Sequence, residues 1–370
     1  MAGTSGSVRR IAVNTGGGDA PGLNAVIRAV VLASLRQGWE VYGIENGYAG
    51  LLAGEEGGLV HLTRRKVRGI THLGGTILGT SNRGNPFAWP GEGPDDEAHS
   101  RDRSHEVLRA FEEHELDALI AIGGDGSLGI ARDLSAAGLP VIGVPKTIDN
   151  DLAFTDLSFG FLTAVDTATD AIDKLHSTAE SHQRVMVVEV MGRHAGWIAL
   201  YSGLAGTADA ILIPEIPYRI EHVCEKIRAR EARGRHFSIV CVAEGAHPVG
   251  GEIVTKTVRA GHEKQVRLGG IGERVAIQLA DCTEKETRSL ALGHLQRGGP
   301  PNAYDRLLAL RFGSAAVACA EEGRFGCAVG LVGDHVEAPT LEEALEERKF
   351  VDPSGDLVRT ARDLGISFGD

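Results

Sequence analysis

Short apolar runs rich in β-branched residues recur along this chain, and each one stops at a glycine or polar turn before a longer amphipathic stretch begins. Arg10-Ile-Ala-Val-Asn14 runs into Gly16-Gly17-Gly18, and residues 24–36 follow with helical spacing. The same alternation places strands at 39–44, 116–122, 140–144 and 184–190, with helices after Gly123-Gly124 and over 159–176. Two further strands are expected at 208–213 and 237–242, separated by a helix over 221–233. A late helix over 304–321 carries Leu307, Leu308, Phe312 and Val317 as its burial set. Strands that alternate with helices form parallel sheets covered on both faces, so the expected class is α/β.

With 370 residues the chain is too long for one ordinary domain and suits two. Glycine reaches 50 residues, above the usual share of about 7%, with neither a collagen period nor a Ser/Pro bias. The excess therefore belongs to tight turns and ligand loops. Residues 85–104, rich in Pro, Gly and Asp, read as a surface excursion. A net charge of −12 argues against a general polyanion binder, and 5% aromatics weaken a base-stacking role. Five cysteines without a C-x-x-C pair are expected to be reduced thiols. Residues 1–10 lack the apolar core of a signal peptide, and no apolar run reaches the roughly 18–20 residues of a membrane span. The expected location is the cytoplasm.

Three segments at strand ends carry the residue types of phosphate chemistry. Gly16-Gly17-Gly18-Asp19-Ala20-Pro21-Gly22 lets backbone N–H groups approach an anion at a helix start, although a plain structural turn fits it as well. It has neither the lysine of a P-loop nor the spacing of a dinucleotide fingerprint. In Ile122-Gly123-Gly124-Asp125-Gly126-Ser127 the carboxylate can hold Mg²⁺ while backbone amides hold phosphate oxygens, or it can cap the helix. In Pro145-Lys146-Thr147-Ile148-Asp149-Asn150-Asp151 one acid can take the proton of an attacking hydroxyl and the other can help place a metal, with lysine offsetting charge; a solvated turn is the alternative.

Basic residues beside glycines complete the set: Arg184, the Met191-Gly192-Arg193-His194-Ala195-Gly196 segment, Arg288, and Gly293-His294-Leu295-Gln296-Arg297-Gly298-Gly299. Arginine reads phosphate with a bidentate fork, so together they suit a substrate that already bears a phosphate. Singly, each reads as a surface charge. His176, His222 and His262 have no comparable setting, and no H-x-x-H or H-E-x-x-H spacing points to zinc.

Taken in order over residues 10–320, Gly-Gly-Asp-Gly, P-K-T-I-D-N-D, M-G-R-H-A-G and H-L-Q-R-G-G resemble the phosphofructokinase family. Gly-Gly-Asp-Gly alone also occurs in NAD kinases and diacylglycerol-type lipid kinases, which leave the other motifs without a role. The resemblance implies two Rossmann-like parallel-sheet domains with the active site in the cleft between them. Residues 1–158 with about 296–346 would bind the donor, and 159–295 with about 347–370 the sugar phosphate. Asp149 resembles the general base for the sugar 1-hydroxyl, with Thr147, Asp151, Arg193 and Lys146 around the migrating phosphoryl group. Gly17, Arg83, Asp125, Gly126 and Ser127 would surround the donor, Asp125 engaging Mg²⁺. Met191, Gly192, Glu244, His294 and Arg297 would hold fructose 6-phosphate. Arg184 and Arg288 match arginines lent by a neighbouring subunit, which implies a homodimer or homotetramer.

The implied activity is an ATP-dependent 6-phosphofructokinase, making fructose 1,6-bisphosphate in glycolysis. Within the family Gly at position 126 accompanies ATP, because a carboxylate there would fill and repel the space of the nucleotide α-phosphate. Lys146 instead matches the pyrophosphate-type pattern, so the motif set is a hybrid. Pyrophosphate as donor, or another acceptor such as sedoheptulose 7-phosphate, is the alternative reading. A catalytically silent sugar-phosphate sensor is a third, opposed by the intact Asp125, Asp149, Asp151 and Arg193 set.

Overall fold

The computed structural model describes residues 8–52, 58–82, 84–90, 100–260 and 263–370. The chain divides into two compact units. The first comprises Met1–Ile148, Leu152–Leu162 and Arg297–Arg348; the second comprises Asp149–Asp151, Thr163–Gln296 and Lys349–Asp370.

The strands in chain order are β1 (Arg10–Thr15), β2 (Glu40–Ile44), β3 (Leu59–His61), β4 (Ala118–Gly123), β5 (Val141–Pro145), β6 (Val185–Val190), β7 (Ala210–Leu212), β8 (Ser238–Ala243), β9 (Thr255–Ala260), β10 (Glu263–Leu268), β11 (Thr287–Ala291), β12 (Cys327–Ala328), β13 (Gly330–Val332) and β14 (His335–Glu337). The helices are α1 (Leu23–Arg36), α2 (Ala49–Leu52), α3 (Ser104–Glu113), α4 (Asp125–Ala136), α5 (Phe161–His182), α6 (Trp197–Ala205), α7 (Ile220–Ala232), α8 (Ile271–Thr283), α9 (Ala303–Glu321), α10 (Leu341–Ala344) and α11 (Asp356–Asp363).

In the first unit the sheet runs β12-β5-β4-β1-β2-β3, parallel except for β3. Alternate residues of its strands serve opposite layers, as the pleat requires. Ile11, Val13, Ile120, Ile122, Ile142 and Val144 pack with α1 and α9. Ala12, Leu119, Ala121 and Val141 pack with Val107 and Phe111 of α3 and Leu128 and Leu134 of α4. Covering both faces is why these strands read as continuous apolar runs.

In the second unit the sheet runs β11-β6-β8-β7, all parallel. Val185, Val187, Val240 and Val242 pack against Val223 and Ile227 of α7 and Ile271, Val275 and Leu279 of α8. Both units are thus Rossmann-like parallel sheets flanked by helices.

Two details depart from expectation. Leu307 is 57% exposed, because the buried stripe of α9 runs through Leu308, Phe312, Ala316 and Ala320, one residue further around the helix. The cysteines are not all free: Cys224 of α7 and Cys282 of α8 form a disulfide, and Cys241, Cys319 and Cys327 are buried thiols. The packing of the two helices brings their Cα atoms within 6.2 Å, inside disulfide reach, across a separation of 58 residues that a spacing rule does not see. Within the 85–104 excursion the described residues form a 3₁₀ turn at Pro86–Ala88, with Asn85 accepting from the Phe87 N–H at 3.0 Å, and a bridge from Trp89 to Arg101. No helix among the described residues is long and apolar enough to cross a membrane.

Candidate active site

In the first unit three adjacent parallel strands, β1, β4 and β5, end together and deliver the phosphate-type motifs. The Gly16 N–H donates to the Ile122 carbonyl at 2.9 Å, and the Lys146 N–H to the Gly123 carbonyl at 2.8 Å. The turn after β1 is further held by the Gly17 N–H on the Ser81 carbonyl at 3.1 Å and by Thr80 Oγ1 on the Gly17 carbonyl at 2.6 Å. Arg297 lies against this turn, its Nη1 donating to the Asp19 carbonyl at 3.0 Å. A side chain at Gly18 would put its Cβ 3.0 Å from that nitrogen, so any larger residue would push the guanidinium back by a few tenths of an ångström. Lys146, 3% exposed, folds back and donates from Nζ to the Gly18 carbonyl.

Where β4 ends, Gly124 caps α4 and Asp125 opens it, placing the acid at the positive end of the helix. Ser127 packs over both strand ends; a Cβ on Gly123 would meet Ser127 Cβ at 2.2 Å. Gly126 is exposed, and a Cβ built there meets nothing within 4 Å. The Asp125 carboxylate is ion-paired with Arg348, the two side chains 37% and 40% exposed. Arg83 lies outside the described residues.

The P-K-T-I-D-N-D segment is shared out along its length: Lys146 and Thr147 belong to the first unit, Asp149 and Asp151 to the second. Asn150, with φ 52°, bends the backbone between the two acids in the left-handed region that asparagine tolerates. Thr147 and Asp151 are buried and Asp149 is half-buried. The Thr147 carbonyl accepts from Ser158 Oγ at 2.7 Å, and the Asp151 carbonyl from the Lys349 N–H at 2.9 Å.

In the second unit the ends of β11, β6 and β8, again adjacent, carry His294, Met191-Gly192-Arg193 and Glu244. The Glu244 N–H donates to the Val190 carbonyl at 2.9 Å and the Gly245 N–H to the Gly192 carbonyl at 3.1 Å. Gly192 has φ 136°, and a Cβ there would strike the Ala195 carbonyl at 2.7 Å, so the turn admits only glycine. Arg193 and His294 are exposed, while Met191 and Glu244 are half-buried. Arg184, just before β6, and Arg288, on the neighbouring β11, share one acid: Glu286 accepts from Arg184 Nε at 2.7 Å and from Arg288 Nη2 at 2.5 Å. The Arg184 hydrogen bond, with Arg184 and Arg288 charge behind it, holds the Glu286 carboxyl below its ordinary range.

Two supporting residues escaped sequence reading. Gln296, fully buried, accepts from the Met191 N–H at 3.3 Å and donates to the Gly293 carbonyl at 3.1 Å, tying the H-L-Q-R-G-G turn to M-G-R-H-A-G. Glu215 accepts from the Gly196 N–H at 2.9 Å and the Val351 N–H at 2.9 Å, and burial lifts its carboxyl above the ordinary range despite both donors. A buried amide inside a motif and a lone acid after a proline have no sequence signal that separates them from surface polarity.

The phosphofructokinase family model matches residues 10–320. The chain belongs to the phosphofructokinase family. It is 54% identical over 362 residues to the ATP-dependent 6-phosphofructokinase of Chloroflexus aurantiacus, covering 98% of each chain. It is also 49% identical over 346 residues to the pyrophosphate--fructose 6-phosphate 1-phosphotransferase of Amycolatopsis methanolica, covering 93% of this chain and 96% of that one. Among solved structures, the Pichia pastoris phosphofructokinase in the T-state superimposes with a TM-score of 0.79 at 31% identity. That match covers 94% of this chain and 36% of the Pichia chain, so this phosphofructokinase spans about a third of that relative's length.

Proposed function

We propose that this chain transfers a phosphoryl group from ATP to the 1-hydroxyl of fructose 6-phosphate. The observation that carries the reading is the 54% identity, across 98% of both chains, to a protein named as an ATP-dependent 6-phosphofructokinase. The open, uncharged space at Gly126 supports ATP as donor, since a nucleotide needs room beyond the transferred phosphate. The first unit supplies the donor side through Gly17, Asp125, Gly126 and Ser127, with Arg83 added from the family pattern. The second supplies the acceptor side through Met191, Gly192, Glu244 and His294, with Arg297 assigned to the sugar phosphate from the family pattern. Arg184 and Arg288 reach the site of a neighbouring copy in a homo-oligomer, exchanging Glu286 for the substrate's phosphate.

Asp149 acts as general base, taking the proton from the 1-hydroxyl as its oxygen attacks. Thr147 and Asp151 flank the reacting phosphorus. Lys146 and Arg193 stabilise the charge that spreads over the equatorial oxygens. Asp125 would hold Mg²⁺: its carboxylate is a hard oxygen ligand and is already paired with a cation. When bound, Mg²⁺ neutralises charge on the donor phosphates.

A pyrophosphate-dependent reaction is the second reading, favoured by buried Lys146 beside the Gly17-Gly18 turn and by the Amycolatopsis relative. Initial rates with ATP and with pyrophosphate, at matched fructose 6-phosphate and Mg²⁺, separate the two. Turnover with pyrophosphate and none with ATP would overturn the first.

A further inference from the structure

Asp125 is the acid assigned to the cation, and Arg348 occupies it. Arg348 lies beyond residues 10–320, so it stands outside the stretch that the family model matches. Its Nη2 donates to Asp125 Oδ2. The backbone around it is pinned: Arg348 bridges Leu152, the Lys349 N–H donates to the Asp151 carbonyl at 2.9 Å, Trp197 Nε1 donates to the Lys349 carbonyl at 3.0 Å, and the Val351 N–H reaches Glu215 at 2.9 Å. Exchange of the guanidinium for another cation therefore needs side-chain rotation alone. An ion pair with both partners more than a third exposed is weak, and so displaceable.

We propose that Arg348 is a positioning residue, a built-in counter-ion that holds the Asp125 carboxylate until a divalent cation displaces it, and that it thereby sets the cation affinity of the donor site. The inference rests on the assignment of Mg²⁺ to Asp125. Arginine stays charged at every physiological pH, so the competition is constant. A cation that binds only the unpaired carboxylate has its affinity lowered by the fraction of time the pair is closed.

The test is equilibrium binding of Mn²⁺ alone, followed by the EPR signal of the free ion, on the full chain without nucleotide. Asp125→Asn defines the background from the acidic surface. Arg348→Gln should bind Mn²⁺ about two- to fivefold more tightly than wild type, the range expected for releasing one exposed ion pair. Arg348→Lys should fall between them, and the gain should vanish in the Asp125→Asn, Arg348→Gln double variant. If Asp125→Asn loses the site but Arg348→Gln shows no gain, the counter-ion role is wrong and the metal assignment stands. If Asp125→Asn binds as wild type does, Arg348 guards no cation site on the free chain and the counter-ion role is wrong.

Discussion

Substituting Gly126 by Ala and then by Asp separates the donor site from the stability of the fold. Gly126 is the second residue of α4, is exposed, and presents a Cβ direction with nothing within 4 Å. Alanine therefore meets no clash and removes the glycine penalty in a helix, a gain of about 0.4–1 kcal/mol. Aspartate adds a charge in the first turn, where the helix end favours acids by about 0.3–1 kcal/mol and offsets repulsion from Asp125. Both variants should melt no lower than wild type. Binding of ATP should respond very differently. A carboxylate about 5 Å from a phosphate oxygen is repelled by about 3 kcal/mol at an effective dielectric near 20. Exposure of residue 126 reduces this to about 1.4–2.8 kcal/mol, or about 10- to 100-fold in the KM for ATP. The assay is initial rate against ATP at saturating fructose 6-phosphate and Mg²⁺, with the KM for fructose 6-phosphate as control and a parallel series in pyrophosphate. Gly126→Ala should show a smaller rise and Gly126→Asp the larger. An unchanged KM for ATP in a normally melting Gly126→Asp would show that the nucleotide does not pass over this turn.

Asp149→Ser should lower kcat by about 10²- to 10⁴-fold while the KM for fructose 6-phosphate moves little, and near-normal turnover would remove Asp149 from the base role. Burial raises the Glu215 carboxyl above its ordinary 4.5, so its contribution to stability is present below that pH and is lost as pH rises through the folded value. The melting midpoint of Glu215→Gln minus that of wild type should accordingly grow as pH climbs from about 4.5; a flat difference to pH 8 would contradict the burial argument. Thiol titration in denaturant should find the three cysteines Cys241, Cys319 and Cys327 before reduction and all five after it. Opening the 58-residue loop between Cys224 and Cys282 should cost about 4 kcal/mol of stability, and unchanged melting after complete reduction would refute that.

What was legible in the sequence follows from how completely each element is buried. β1, β4, β5, β6 and β8 are buried along almost their whole length, so apolar residues dominate them, with Asn14, Thr15, Glu189 and Ser238 as buried polar exceptions, and the runs announce themselves. β11 is the edge of its sheet, with Arg288, Ser289, Leu290 and Ala291 all exposed, and nothing in Thr-Arg-Ser-Leu-Ala marks a strand. The two-residue β12 and the hairpin of β13 and β14 are too short to carry a period. Leu307 was misplaced because a glance at spacing does not resolve one residue on a 3.6-residue turn. The motif glycines were visible because glycine excess at strand ends is local information. The groups that hold those turns, Gln296, Glu215 and Arg348, act from 105, 19 and 223 residues away, and a single sequence carries no trace of such pairing.

The two units use the same device twice. In a parallel sheet every strand leaves its carboxyl end on the same side, so turns from neighbouring strands converge there and the following helices point their positive ends toward them. In the first unit β5, β4 and β1 bring Lys146, Asp125 and the Gly16–Gly18 turn to one edge, cation and carboxylate beside glycine backbone. In the second, β11, β6 and β8 do the same for His294, Met191-Gly192-Arg193 and Glu244. The two edges differ in what fills the turns. Glycine and small polar residues dominate the first, which suits close contact of backbone with a polyphosphate. Longer side chains dominate the second, which suits hydroxyls and a single phosphate on a sugar. The acids of P-K-T-I-D-N-D follow directly on β5, and the bend at Asn150 carries the chain from the first set of contacts into the second within three residues. Asp149 and Asp151 both lie in that three-residue crossover, so the proposed base is encoded where the chain passes from one set of contacts to the other.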